Sequence, residues 1–104
     1  MSTNQNIIAR DDDIEKAARS LKAMAHPLRL KILCIIGSER FSVQEIVEKV
    51  GTSQSNISQH LSIMRDKDIL SSTKEANRVF YNIADNRIVQ LIKLMRDMFC
   101  ECNN

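Results

Sequence analysis

Apolar positions recur along this chain with two periods, and the switch between them separates its elements. From Asp11 to His26, Ile14, Ala17, Ala18, Leu21 and Met24 follow helical spacing, behind three carboxylates (Asp11, Asp12, Asp13) where negative charge favours a helix start. Pro27 suits the first turn of a second helix. Leu28, Leu30, Ile32, Leu33, Ile35 and Ile36 leave that helix few polar positions, which predicts a central, buried element stopped at Gly37. Ser42-Val43-Gln44-Glu45 is a capping box, in which serine and glutamate side chains satisfy each other's free backbone N–H groups. It opens a short helix with Val43, Ile46, Val47 and Val50 inward, ending at Gly51. Thr52 or Ser53 caps the next helix, which runs to about Asp66 with Ile57, Leu61 and Met64 on one side. After Asp68 the period falls towards two. Leu70–Lys74 and Arg78–Ile83 are predicted strands, joined by Glu75-Ala76-Asn77 with Asn77 in the left-handed position. A final helix begins at Asp85 and carries Ile88, Leu91, Ile92, Met95, Met98 and Phe99 on one stripe.

The order is four helices, a hairpin, then a helix: a mainly α fold with a small β-hairpin. Two short helices around a glycine turn, followed at once by a hairpin, form a winged helix-turn-helix. Residues 1–10 show no period and are expected to form a flexible N-terminus ahead of one DNA-binding and dimerisation domain over 11–102. With 104 residues the chain suits a single domain, and 43% apolar with 27% charged residues marks it as globular. The longest unbroken apolar run, Ile32 to Ile36, is far too short for a bilayer of roughly 30 Å, so no membrane partner is expected. Met1 to Asn6 has neither the basic nor the apolar part of a secretory signal. Three cysteines without such a signal favour a reducing, cytoplasmic location over a disulfide scaffold. The net charge of +2, from 15 basic and 13 acidic residues, is too small to argue for nucleic acid by itself.

The argument for DNA comes from the helix after Ser53. On a helical wheel Ile57, Leu61 and Met64 cluster, and Ser55, Gln59 and Ser62 lie opposite, flanked by Asn56 and Ser58. With Ser53 and Gln54 at the start, these short neutral groups suit base edges and phosphate oxygens. Lys74 and Arg78 sit at the two ends of the hairpin turn, where cations meet the backbone beside a groove. On an isolated helix the same face is equally well a merely solvated one; the capping box, the Gly51 turn and the hairpin favour the reading role. A winged-helix module that binds only protein is the competing class. His60 falls between the two arcs and reads as a packed or capping residue, and His26, directly before Pro27, as a helix-junction residue. No glycine-rich phosphate loop or catalytic carboxylate pair is present, so an enzyme is not expected.

Leu21-Lys22-Ala23-Met24-Ala25-His26-Pro27-Leu28-Arg29-Leu30-Lys31-Ile32-Leu33 resembles the opening signature of the ArsR/SmtB family of bacterial transcription repressors. Ser53-Gln54-Ser55-Asn56-Ile57-Ser58-Gln59-His60-Leu61 is similar to that family's recognition helix, and Arg78-Val79-Phe80-Tyr81 to its second wing strand. The resemblance spans roughly residues 14–102. It implies a homodimer through the first and last helices, bound to an inverted-repeat double-stranded operator and released by an inducer. Asp68 and Asn77 stand where the family commonly has glycine, and both tolerate left-handed backbone.

The family divides by what it senses. The Cys-Val-Cys of its usual arsenic sensors is missing, since that region reads Val43-Gln44-Glu45-Ile46-Val47. The zinc-sensor positions read Asp85, Arg87, Met98 and Glu101, with two of four ligands lost. Cys34 and Cys100 resemble the dithiol of the sulfide- and persulfide-responsive branch (the HlyU, BigR and SqrR type), which implies an oxidant or a reactive sulfur species as inducer and no cofactor or resident metal. Cys34 taken alone is more readily a small buried hydrophobe. Cys102 leaves an alternative open, a soft-metal sensor holding As(III) with Cys34, Cys100 and Cys102. It is equally a tail residue or a resolving thiol.

Overall fold

The computed structural model describes residues 10–100 and contains helices α1 (Asp11–Met24), α2 (Pro27–Ile36), α3 (Val43–Val50), α4 (Gln54–Asp66) and α5 (Asn86–Phe99). Strands β1 (Phe41–Ser42), β2 (Leu70–Glu75) and β3 (Arg78–Ile83) form one antiparallel sheet in the order β1-β3-β2. Of the segment expected to fray, residues 1–9 lie outside the described residues, as do Glu101 and Cys102. Arg10 is the N-cap of α1, its carbonyl accepting the Ile14 N–H.

The fold class is the winged helix-turn-helix expected, with local differences that have physical causes. Helix α1 ends at Met24, two residues before the expected end. A residue preceding proline is pushed into extended backbone, and His26 (φ −153°) instead caps α2, its Nδ1 accepting the Leu28 N–H at 3.1 Å. Strand β1 was not anticipated: two residues have no period to read, and Phe41 and Ser42 become a strand only by pairing with Tyr81 and Phe80. The hairpin loop is shorter than expected. Glu75 pairs with Arg78, so only Ala76 and Asn77 turn the chain. Ala76, rather than Asn77, takes the positive φ (57°), at the first central position where a two-residue turn of this kind favours glycine. Asp68 has φ 61° in the turn after α4, the left-handed backbone that an Asp accepts.

Helix α2 is the hub. Its Ile32, Leu33 and Ile36 are buried against Ile46 of α3 and Ile57, Leu61 and Met64 of α4. Ala23 and Met24 of α1, Ile69 of the turn after α4, Leu70, Tyr81 and Ile83 of the sheet, and Val89 and Ile92 of α5 complete the same core. Truncating Leu61 to alanine would cost about 2–5 kcal/mol, because the site is enclosed on every side. The apolar stripes of α1 and α5, by contrast, are only partly covered. Ile14 and Leu21 on α1, and Leu94, Met98 and Phe99 on α5, stay 47–77% exposed. No helix among the described residues is long and apolar enough to cross a membrane.

Candidate nucleic-acid interface

Two caps and one glycine position α4. Ser42 Oγ accepts the Glu45 N–H at 3.1 Å and Glu45 Oε1 accepts the Ser42 N–H at 2.8 Å, which fixes the start of α3. The same contacts, led by the hydrogen bond from the Ser42 backbone, hold the Glu45 carboxyl below the usual carboxylate range. Gly51 ends α3 at φ 85°, in left-handed backbone, with its N–H on the Val47 carbonyl at 2.8 Å. An added Cβ would meet nothing within 4 Å, so the demand for glycine there is torsional rather than steric. Ser53 then caps α4 by accepting the Asn56 N–H at 3.2 Å.

The candidate reading residues divide by what they already hold. Ser53 and Asn56 are engaged in the cap, Asn56 also reaching Thr52 Oγ1 at 3.4 Å, and Ser55 touches Ser53 at 3.5 Å. Gln54, Ser58, Gln59 and Ser62 are exposed, opposite the buried Ile57, Leu61 and Met64. On the wing, Lys74 and Arg78 flank the turn as expected, but their surroundings differ. Lys74 is exposed and makes no ion pair among the described residues. Arg78 Nη2 donates to Ser42 Oγ at 3.0 Å. Between wing and helices lies a cleft of about 260 Å³ lined by Ser42, Val43, Gln44, Gln54, Asn77, Arg78 and Val79.

Sequence reasoning missed two residues that shape this surface. Arg40, just before β1, forms a two-pronged ion pair with Glu75 at 2.8 Å on both contacts and lies 4.3 Å over the Phe80 ring. Arg29 on α2 joins three elements: its Nε donates to His60 Nδ1 of α4 at 3.0 Å and its Nη1 to the Ala23 carbonyl of α1 at 3.1 Å. His60 is thus a packed residue, its ring 4.5 Å from that of His26. Burial, with the neighbouring His26 and Arg29, pushes the His60 imidazole below the ordinary histidine value. Nothing local in the sequence announces either arginine.

Cys34 and Cys100 are both free and exposed. Cys34 lies on α2, and Cys100 caps the end of α5, its N–H on the Arg96 carbonyl at 2.8 Å. The Cys34 thiol is pushed up, first by partial shielding of the sulfur and then by the charge of Cys100, while Arg96 pulls it down. Cys102 falls outside the described residues, so the three-thiol arrangement has no described geometry. At the zinc-sensor positions, Asp85 caps α5 and is held by Arg87 at 2.7 and 3.1 Å, which lowers its carboxyl to about 2. Among the described residues no group of three or more His, Cys, Asp or Glu is placed to hold a metal ion.

A left-handed glycine between two helices, a polar outer face on the second and a β-ribbon beside it define a winged helix-turn-helix transcriptional regulator. Residues 26–72 match the bacterial regulatory protein, arsR family. The HTH-type transcriptional regulator YgaV of Escherichia coli (strain K12) is 40% identical over 87 residues, which cover 83% of this chain and 88% of that protein. The transcriptional activator HlyU of Vibrio cholerae is 35% identical over 98 residues, covering 94% of this chain and 91% of its own. A solved HlyU structure from that organism superposes with a TM-score of 0.83 at 35% identity, over 88% of this chain and all of HlyU, and a structure of reduced HlyU with 0.81 at 35%, over 88% and 96%. The transcriptional repressor BigR of Xylella fastidiosa does so with 0.78 at 28% identity, over 91% and 100%. The chain belongs to the arsR family, beside HlyU and BigR. Like these relatives it is a DNA-binding transcriptional regulator rather than an enzyme.

Proposed function

We propose that two copies of this chain pair through α1 and α5 and bind an inverted-repeat operator, and that oxidation of a Cys34/Cys100 dithiol weakens the binding. The reading residues are Ser53, Gln54, Ser55, Asn56, Ser58, Gln59 and Ser62, with Lys74 and Arg78 on the wing. The exposed apolar side chains of α1 and α5 support the pairing, since each helix leaves large apolar side chains without cover.

One observation carries the switch. Cys34 on α2 and Cys100 at the end of α5 are both exposed, and these two helices pack against each other. With a hydropersulfide RSSH as oxidant, one cysteine thiolate attacks the sulfane sulfur and RSH leaves. The second thiolate then displaces H2S to close the disulfide. Two thiols and one RSSH become one disulfide, RSH and H2S, so the dithiol loses two electrons and the sulfane sulfur gains them.

Gel-shift titration of the reduced and persulfide-treated protein tests the switch. Treatment is expected to weaken operator binding about tenfold or more, within the usual range of allosteric coupling. Cys34→Ser and Cys100→Ser should each bind as the reduced protein does and ignore the persulfide. An undiminished response in both serine variants removes the dithiol from the mechanism.

A further inference from the structure

We propose that Arg78 is a positioning residue that locks the wing onto the first turn of the helix-turn-helix, leaving Lys74 as the cation the wing offers to DNA. The inference rests on the reading above, in which the wing lies along the duplex. It changes the role given there to one of its residues.

Ser42 joins the two parts. It is 2% exposed and is the one buried polar residue among the described residues. Its hydroxyl oxygen accepts the Glu45 N–H at 3.1 Å and the Arg78 guanidinium at 3.0 Å, so both lone pairs are used. Arg78 also lies near enough to Glu45 to help keep that carboxylate charged, behind the larger effect of the Ser42 N–H. Part of the Arg78 charge is therefore already answered inside the protein.

Phe80 secures the second side. It lies two residues along β3 from Arg78 and so on the same face. Arg78 Cζ is 5.4 Å and Arg40 Cζ 4.3 Å from its ring centroid. Arg40 in turn grips Glu75, the residue paired with Arg78 across the turn. A two-stranded ribbon is marginal by itself. Here its turn end is tied to the N-cap of α3 by Arg78 and to the approach of β1 by Arg40, and these ties set the angle between wing and α4. Lys74, on β2, has no such tie.

Salt dependence separates a residue that neutralises phosphate from one that orients its neighbours, because only the former releases counterions. The duplex is one recovered by the wild-type protein from a random pool, and affinity is measured over a series of KCl concentrations. Lys74→Ala is expected to lower the slope of log K against log salt by about one per subunit. Arg78→Gln is expected to weaken binding about tenfold with the slope unchanged, and to speed amide hydrogen exchange at residues 74–79 while the thermal midpoint of the core holds. Should Arg78→Gln lose about one unit of slope per subunit, or bind and exchange as the wild type does, the positioning role is overturned. Should Arg78→Gln fail to fold, Arg40→Gln must show the same faster wing exchange and unchanged slope, or the proposal fails. A wild type that recovers no duplex, or a Lys74→Ala protein with unaltered slope, overturns the interface reading itself.

Discussion

His60 shows how one side chain gives this regulator a pH dependence. Its folded-state pKa lies below the ordinary value, so an unfolded chain takes up the proton first as pH falls. Stability from this group is complete above about pH 6.5 and is lost as the pH drops further, when Nδ1 can no longer accept from Arg29. Urea denaturation at a series of pH values should show that decline, and His60→Asn, which keeps an acceptor but cannot be protonated, should flatten it. Asp85 acts at lower pH with the same sign: its contribution is present above about 3.9 and fades towards 2. At the wing tip, Ala76 holds a positive φ that an L-residue adopts at a cost of roughly 1–2 kcal/mol. Ala76→Gly is expected to raise the unfolding free energy by about 1 kcal/mol, and a drop on chemical denaturation would contradict the turn described here.

Among the elements, α4 combines a structural and a reading face, and substitution should separate them. Gln59→Ala is expected to leave thermal stability unchanged and to lower affinity for the preferred operator by about 1–3 kcal/mol per half-site while relaxing sequence preference, as checked by binding to operator variants. Ser53→Ala should instead cost about 1 kcal/mol of stability, read by denaturation, because it removes the cap. The helices, the Ser42 capping box and the Gly51 turn were legible in the sequence because each depends on residues within about one turn of one another, while the cap of α4 was narrowed only to Thr52 or Ser53. What was not legible is held together across the chain. Strand β1 exists only through β3, Arg78 meets Ser42 at a separation of 36 residues, and Arg29 meets His60 at 31. Asn77 was the better left-handed residue by type, but strand register put Ala76 at the strained position. The polar face of α4 was visible as a pattern, whereas the contacts that occupy Ser53 and Asn56 depend on the geometry of the turn before the helix.

At the scale of the molecule, the uncovered stripes of α1 and α5 make oligomeric state the first property to measure. Leu94→Asp combined with Phe99→Asp is expected to convert the dimer to monomer in sedimentation experiments and to abolish operator binding, leaving the helical content of the monomer in place; a dimer that survives both charges would move the seam elsewhere. Arg29 bears on the same question from inside. Its guanidinium spans from the last turn of α1 to the side of α4, with one hydrogen bond to each. A tilt of α1 cannot occur without stretching one of those bonds or dragging α4 along. In the pair proposed above, the spacing of the two α4 helices is therefore tied to how the α1 helices sit at the seam, which gives a chemical event far from the duplex a short mechanical route to it.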